Sequence, residues 1–223
     1  PYQESGFQWL NYLREVRWGG ILADDMGLGK TIQALSFLHH LKSEEGTLKA
    51  LVVCPTTLMY NWQNEIGKFT PNISFYVHHG AGRSRDAFAS NEADVIITTY
   101  GTLRSDIKQL VEVAFDYVVL DESQAIKNPN SKVTKAAGLL KATNRLCLSG
   151  TPLQNNTFDI YAQMNFLNPG MLGSLSVFQS ATRSLRSVDE ATRAMLARAA
   201  LVLATTLGTL CDAVVRRVRE LVT

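Results

Sequence analysis

The sequence is short of cysteine and of net charge, and each shortage limits the interpretations of the chain. Its three cysteines lie far apart and form no CxxC pair, so neither a zinc site nor a disulfide framework is indicated. The formal net charge is only +2, which does not by itself indicate a nucleic-acid binder. Any surface of that kind must therefore be a local patch.

Long apolar segments are also missing. The stretch Ala199–Cys211 is uncharged but contains 13 residues, whereas about 20 are needed to cross a bilayer. The N-terminus carries no basic-then-apolar signal segment. We therefore expect a soluble, intracellular protein without a membrane partner, and 223 residues suffice for one large domain with a smaller appendage.

Short apolar runs alternate with amphipathic stretches over the first 170 residues. Because the runs are continuous rather than alternating, they predict strands that are buried on both faces. Strands and helices in alternation predict an α/β fold with a mostly parallel sheet, whose ligand lies at the carboxyl ends of the strands. The predicted strands are Gly20–Ala23, Ala50–Cys54, Ile73–Val77, Val95–Thr98, Tyr117–Leu120 and Arg145–Leu148.

The composition changes after Pro169–Gly170, which ends a predicted helix. Residues 181–223 contain seven arginines and no lysine, with much alanine, leucine and threonine. We therefore predict a nucleotide-binding lobe over residues 1–170 and a helical appendage over residues 171–223.

The segment Asp24–Thr31 carries the strongest chemical signal. Gly29, Lys30 and Thr31 match the second half of the P-loop pattern G-x-x-x-x-G-K-[ST], while Asp24 replaces its first glycine. A predicted strand precedes the segment and a predicted helix, Ile32–Leu41, follows it, as a P-loop requires. The alternative is a glycine-rich turn with an incidental lysine.

A P-loop in this segment would hold Mg-ATP. Its backbone N–H groups and the helix N-terminus would face the phosphates, Lys30 would neutralise the β- and γ-phosphates, and the Thr31 hydroxyl would ligate Mg²⁺. The predicted nucleotide-binding residues of the loop are Asp25, Met26, Gly27, Leu28, Gly29, Lys30 and Thr31.

Two polar segments follow later predicted strands. Asp121 comes directly after Tyr117–Leu120 and could hold Mg²⁺ through its water shell, while Glu122 could orient or deprotonate the attacking water. An acidic turn after a strand is the alternative. Ser149–Pro152 follows Arg145–Leu148 and could sense the γ-phosphate.

Together, these motifs resemble those of the Swi/Snf-type ATPases of the second helicase superfamily, in their first RecA-like lobe. The order and spacing agree over residues 1 to about 180. The matching segments are Pro1–Gln3 with Trp9-Leu10, Leu22–Thr31, Val53–Pro55 with Asn61-Trp62 and Glu65, Thr98–Tyr100, Asp121-Glu122 with Ile126–Pro129, Ser149–Asn156 and Phe166–Gly170.

The resemblance implies a three-layer RecA-like domain that couples ATP hydrolysis to movement along duplex DNA and can remodel protein–DNA complexes. Gln3 would read the adenine edge, and Thr151 would link the nucleotide to the DNA track. It also assigns Lys30, Asp121, Glu122 and Thr151 to catalysis and Thr31 and Asp121 to the metal. The residues expected to touch the DNA backbone are Pro55, Thr56, Thr99, Tyr100 and Gly101.

The sequence also departs from the family. Ser123-Gln124 stands where Ala-His or Gly-His is frequent, although glutamine can still form hydrogen bonds. The resemblance covers only a first lobe, so it implies a second RecA-like lobe, with arginine fingers, that these residues do not provide.

The expected location is the cytoplasm or nucleoid of a prokaryote, or the nucleus of a eukaryote.

Two rival functions stay open. The chain could be a nucleotide- or partner-binding module without turnover, or a lobe of an RNA helicase of the same superfamily. Intact Lys30, Thr31, Asp121 and Glu122 argue against the first, and the segments Ile126–Pro129 and Phe166–Gly170 argue against the second.

Several other residues invite a functional interpretation. Trp62 has helical spacing with Leu58 and Ile66, which predicts a core position rather than base stacking. The pair His78-His79 is expected at the surface or at a cap, and Arg83 in a solvated polar loop.

Overall fold

The computed structural model of the protein describes residues 2–24, 27–84, 92–150, 157–183 and 203–204. The strands in these residues are β1 (Gly20–Leu22), β2 (Ala50–Cys54), β3 (Phe75–His78), β4 (Val95–Thr99), β5 (Ala114–Asp121), β6 (Lys141–Leu148) and β7 (Leu203–Ala204). They form one sheet with the spatial order β3-β4-β2-β5-β6-β1-β7. Every pair of neighbours is parallel, as the sequence predicts.

Helices lie between most consecutive strands of the described residues, as connections between parallel neighbours require. The helices of the described residues are α1 (Tyr2–Glu15), α2 (Lys30–Glu45), α3 (Met59–Phe69), α4 (Tyr100–Ser105), α5 (Ile107–Leu110), α6 (Lys132–Leu139), α7 (Thr157–Leu167) and α8 (Leu175–Arg183). Short 3₁₀ turns at Thr56–Leu58 and Ser123–Ile126 follow β2 and β5. None of the helices in the described ranges combines the length and the apolar character needed to traverse a bilayer.

The central strands are buried on both faces. Leu51 and Val53 of β2 belong to one apolar cluster, whereas Val52 and Cys54 belong to a second. Side chains alternate across a strand, so the two clusters lie on opposite faces of the sheet. This double burial explains why β2 is a continuous apolar run.

Helices cover each of these faces. Phe37 of α2 and Trp62 of α3 pack in the cluster that contains Val52, and Leu103 of α4 and Ala137 of α6 pack in the other. The three-layer α/β arrangement predicted from the sequence is therefore confirmed.

The N-terminal helix α1 lies beside α2. The rings of Phe7 and Phe37 meet edge to face with centroids 6.4 Å apart. At the other end of α1, the Arg14 guanidinium pairs with Glu44, at 2.7 Å, and with Glu45. These contacts fix the first residues of α1 close to the start of α2.

Element boundaries differ modestly from the predicted ones. Helix α2 extends the predicted Ile32–Leu41 in both directions, and β5 starts three residues before Tyr117. Phe69 has helical spacing with Trp62 and Ile66, which predicts a buried position, but it is 44% exposed. It is the last residue of that helix, where its ring lies 4.9 Å from Lys68 Nζ rather than in the core.

The region beyond residue 170 is only partly helical where it is described. Helix α8 packs Phe178 against Tyr161 in the main core. Leu203–Ala204, within the predicted helical appendage, form a short strand beside β1. The apolar run around these two residues suits a buried strand as well as a helix, and periodicity does not separate the two. The boundary at residue 170 stays a prediction.

Candidate functional site

The predicted phosphate motifs meet at one edge of the sheet. Strands β5, β6 and β1 are consecutive neighbours, so Asp121, Ser149 and Asp24 lie at the carboxyl ends of adjacent parallel strands. Ser149 N also donates to the Leu22 carbonyl at 3.1 Å, which ties the end of β6 to the end of β1. This is the edge at which parallel sheets bind ligands.

Glycine allows the turn of the P-loop. Gly27 and Gly29 have φ of 84° and 77°, a region that residues with a Cβ rarely adopt. Helix α2 begins at Lys30, so Thr31 lies in its first turn. The Lys30 ammonium donates to the carbonyl oxygen of Asp24 at 2.7 Å, which folds this side chain back over the loop. Asp25 and Met26 lie outside the described residues.

Asp24 has a structural explanation for its place in the motif. It is 1% exposed, and its Oδ2 accepts a hydrogen bond from Gln33 Nε2 at 2.8 Å. Gln33 is a buried residue in the first turn of α2, so this bond joins the start of the loop to the helix that follows. The buried Asp24 carboxylate therefore stabilises the loop through its hydrogen bond to α2.

The first residues of α1 lie against the P-loop. The Tyr2 hydroxyl donates to the Leu28 carbonyl at 3.2 Å. The Gln3 amide lies so close to Gly29 that a Cβ added there would be 2.8 Å from Gln3 Nε2. The fold thus brings Gln3 to the loop from 26 residues away in the sequence, and its role at the adenine stays a prediction.

Asp121 is held by several donors. Its Oδ2 accepts from Trp62 Nε1 at 2.8 Å, its Oδ1 accepts from the Glu122 N–H at 2.9 Å, and its carbonyl accepts from the Tyr100 hydroxyl at 2.7 Å. Burial raises the pKa of Asp121, and the bonds from Trp62 and Glu122 N oppose part of that rise. Lys30 also favours the ionised carboxylate. A magnesium ion fits here, because its charge would further favour the ionised form.

Glu122 has a left-handed backbone, with φ 51° and ψ 54°. Such a conformation is uncommon for a residue with a Cβ and is concentrated at functional sites. Gln124 Nε2 donates to the Glu122 carboxylate, and the Ser149 hydroxyl donates to Gln124 Oε1 at 3.2 Å. Gln124, which stands where the family frequently has histidine, therefore bridges the ends of β5 and β6. Thr151 lies outside the described residues.

The segments predicted to touch DNA follow β2 and β4, on the adjoining half of the same edge. Pro55 is half-buried, and Thr56 and Gly101 are exposed. The side chains of Thr99 and Tyr100 point inward. Thr99 is buried and its Oγ1 caps α4 by accepting from Thr102 N at 3.3 Å, while the Tyr100 hydroxyl is bonded to Asp121.

The sequence profile of the SNF2-related domain matches residues 2–222. The chain belongs to this family. YwqA of Bacillus subtilis, a proposed ATP-dependent helicase/translocase, is 42% identical over 183 residues, which are 80% of this chain and 20% of YwqA. The TATA-binding protein-associated factor mot1 of Aspergillus fumigatus is 41% identical over 192 residues, which cover 80% of this chain and 10% of that protein. The SNF2-related chain thus spans a fifth or less of these curated relatives.

The fold of this chain matches that of a solved structure. The SWI2/SNF2 ATPase core of Sulfolobus solfataricus, in complex with dsDNA, matches with a TM-score of 0.80 at 37% identity. The match covers 92% of this chain and 43% of that one. The RecA-like architecture and the family resemblance predicted from the sequence are both confirmed.

Trp62 has a polar partner that sequence reasoning missed in this SNF2-related domain. Its helical spacing correctly predicted a core position, but its indole N–H donates to the Asp121 carboxylate. A buried indole needs an acceptor, and that need was the available signal. Only the fold shows which carboxylate meets it, because the two residues are 59 positions apart.

A buried ionic cluster corrects two further expectations. His78 is fully buried, and its Nε2 lies 2.8 Å from Asp106 Oδ2. Arg83 donates to the same carboxylate from Nε at 2.6 Å and from Nη2 at 3.0 Å. His78 is therefore not a surface residue, and Arg83 is not merely solvated. The carboxylate of Asp106 draws both inward because a buried charge needs paired donors.

Proposed function

We propose that this SNF2-related chain is the ATP-binding lobe of a DNA-dependent ATPase that translocates on duplex DNA and can remodel protein–DNA complexes. One observation carries the proposal. The P-loop, the Asp121–Glu122 pair and the two segments expected to touch DNA all lie along one edge of a single parallel sheet. Nucleotide and DNA would then be bound side by side on one rigid scaffold.

The proposed reaction is in-line attack of water on the γ-phosphate of ATP. Backbone N–H groups from Asp25 to Gly29 would face the phosphates, and Lys30 would leave the Asp24 carbonyl to neutralise them. Gln3 would bind the adenine edge from its place above Gly29. Magnesium, when bound, would neutralise phosphate charge.

Metal binding and activation of the attacking water would fall to one hydroxyl and two carboxylates. Thr31 and Asp121 would hold the metal, and Glu122 would orient the attacking water and accept its proton. Thr151 would relay the presence of the γ-phosphate towards the DNA track. Arginines on a second RecA-like lobe would complete charge stabilisation.

Duplex DNA would be bound through its backbone. Thr56 and Gly101 are the exposed members of the two segments, so we expect them to make the direct contacts. Pro55, Thr99 and Tyr100 would shape those segments. Contacts to phosphate carry no sequence information, which suits a protein that moves along its track.

The test is ATP hydrolysis by the full-length protein, with linear duplex DNA, with duplex RNA and without nucleic acid. DNA should raise the rate, and Lys30→Ala should lower it by about 100-fold or more. Lys141→Ala is the matched control, since Lys141 is exposed at the amino end of β6, on the opposite edge of the sheet.

Three outcomes would contradict the proposal. Stimulation by RNA but not by DNA would indicate an RNA helicase. Lys30-dependent nucleotide binding without turnover would indicate a binding module. Nucleotide binding unaffected by Lys30→Ala would mean that the P-loop is not the nucleotide site.

A further inference from the structure

The peptide that joins Asp121 to Glu122 is constrained in three ways. Glu122 adopts a left-handed backbone without being glycine, so neighbouring contacts must hold it there. The Tyr100 hydroxyl donates to the carbonyl of this peptide at 2.7 Å, and its N–H donates to Asp121 Oδ1 at 2.9 Å. Both polar groups of the peptide are therefore occupied.

The carboxylate of Asp121 is fixed as well. Trp62 Nε1 donates to Oδ2 at 2.8 Å, from a fully buried ring on α3. With Oδ1 bonded to Glu122 N, both carboxylate oxygens have a protein donor. Each oxygen can still accept a further hydrogen bond, for example from a metal-bound water.

The two outside donors come from neighbouring strand ends. Trp62 lies on the helix that follows β2 and the segment Pro55–Thr56, and Tyr100 directly follows β4. Since β2 lies between β4 and β5 in the sheet, both donors approach Asp121 from the half of the edge that is expected to bind DNA.

We propose that Trp62 and Tyr100 are positioning residues, which hold the Asp121–Glu122 pair in the geometry that ATP hydrolysis requires. Trp62 orients the carboxylate that holds the metal, and Tyr100 holds the strained peptide that aims Glu122. The inference rests on the proposed ATPase function. It adds that the segment containing Tyr100 reaches the catalytic pair through one hydroxyl.

A structural role alone would explain the same contacts, because a buried indole and a buried hydroxyl both need acceptors. The two interpretations differ in what a conservative substitution changes. A structural role affects stability, whereas a positioning role affects the turnover number and the magnesium requirement at unchanged fold.

The experiment compares Trp62→Phe and Tyr100→Phe in the full-length protein. Each removes one donor and keeps an aromatic ring. We would measure kcat, the Mg²⁺ concentration for half-maximal rate and the melting temperature, with and without duplex DNA. Tyr161→Phe is the matched control for Tyr100, since the Tyr161 hydroxyl donates to the Gly173 carbonyl at 3.0 Å, away from Asp121. Trp18→Phe controls for the loss of a partly buried indole.

We expect Trp62→Phe to raise the half-maximal Mg²⁺ concentration about tenfold, and Tyr100→Phe to lower the DNA-stimulated kcat about tenfold, as for other residues that orient metal ligands. The control variants should change only the melting temperature. If Trp62→Phe fails to fold, Tyr100→Phe decides the result, because it removes a single oxygen.

If the folded variants keep the wild-type kcat and Mg²⁺ dependence, the inference is wrong and the proposed function still stands. Losses of activity that match the controls at equal loss of stability would also overturn it. A wild-type protein without DNA-stimulated hydrolysis would instead overturn the proposed function, and the inference with it.

Discussion

The edge of the sheet formed by the carboxyl ends of the strands has two halves, and their polar side chains differ in exposure. In the half formed by β5, β6 and β1, Lys30, Thr31 and Glu122 are partly exposed at the carboxyl ends of the strands. In the half formed by β2, β4 and β3, Thr99 and His78 are buried and bonded to protein partners. The first half thus leaves these polar side chains accessible at the strand ends, whereas in the second half Thr99 and His78 are bonded within the protein.

The difference shows what a motif does and does not reveal. A P-loop binds phosphate through a local backbone shape, so its glycines and lysine can be interpreted one by one. A threonine at a strand end has no such fixed role, because its hydroxyl can cap the helix that follows instead of meeting a ligand. Five predictions test this difference.

The largest effect is expected from Glu122→Gln in the first half. The amide cannot accept the proton of the attacking water, so kcat should fall by about 100- to 10,000-fold while nucleotide affinity is retained. Single-turnover hydrolysis and nucleotide calorimetry measure the two quantities. Glu112→Gln, an exposed glutamate that lies before β5, is the control. A kcat within tenfold of wild type would remove Glu122 from the proposed catalytic role.

Asp106→Asn should produce the largest change in stability in the second half. Asp106 is buried and carries the bonds from Arg83 and His78, so we expect a loss of about 2 kcal/mol in the free energy of unfolding. Urea denaturation at pH 7 gives this value. An unchanged midpoint would mean that the cluster does not stabilise the fold.

The same cluster predicts a pH dependence of stability. The Arg83 hydrogen bond holds the pKa of Asp106 below its ordinary value, so the stabilisation is complete above about pH 4 and is lost as the pH falls through the folded-state pKa. Burial lowers the pKa of His78, so the unfolded chain binds that proton first and stability also falls below about pH 6.5. Urea midpoints should therefore fall from pH 7 to pH 4 through His78 and fall further below pH 4 through Asp106, and this second fall should be smaller in Asp106→Asn.

Gly29→Ala tests the backbone geometry of the first half. Alanine is strained at φ 77°, and its Cβ would lie 2.8 Å from Gln3 Nε2. We expect nucleotide affinity to fall by about tenfold, measured by calorimetry. Gly138→Ala is the control, since a Cβ there meets nothing within 4 Å and should stabilise α6 by about 0.5–1 kcal/mol. Equal nucleotide affinity in both variants would contradict the proposed role of the Gly29 turn.

The smallest effects compare Thr56→Ala with Thr99→Ala. Loss of the exposed Thr56 hydroxyl should weaken duplex binding by about 3- to 10-fold and leave stability unchanged, because one hydrogen bond contributes about 1 kcal/mol. Loss of the Thr99 cap should cost about 1 kcal/mol of stability with less effect on binding. Fluorescence anisotropy at fixed salt and thermal melting separate the two. The opposite pattern would mean that the Thr99 hydroxyl contacts the DNA and that the Thr56 hydroxyl stabilises the fold.

Much of the fold could be predicted because its signals are local. The run Ala50–Cys54 is apolar throughout, which indicates a strand buried on both faces, and the structure places β2 at these residues. Leu203–Ala204 gave no comparable signal, because two residues in an apolar stretch fit a helix or a strand equally well. Pairing with β1, which is distant in the sequence, decides between them.

The chemical groups at the carboxyl ends of the strands could be identified from residue types alone: the P-loop motif with Lys30 and Thr31, the Asp121–Glu122 pair and the segments after β2 and β4. These are properties of residue type and short-range spacing. The partners of those groups depend on how distant segments pack: Trp62 and Tyr100 with Asp121, Gln124 between Glu122 and Ser149, and Arg83 with Asp106. The physical reason is that a buried donor or charge takes whichever partner the packing of distant segments brings within about 3 Å.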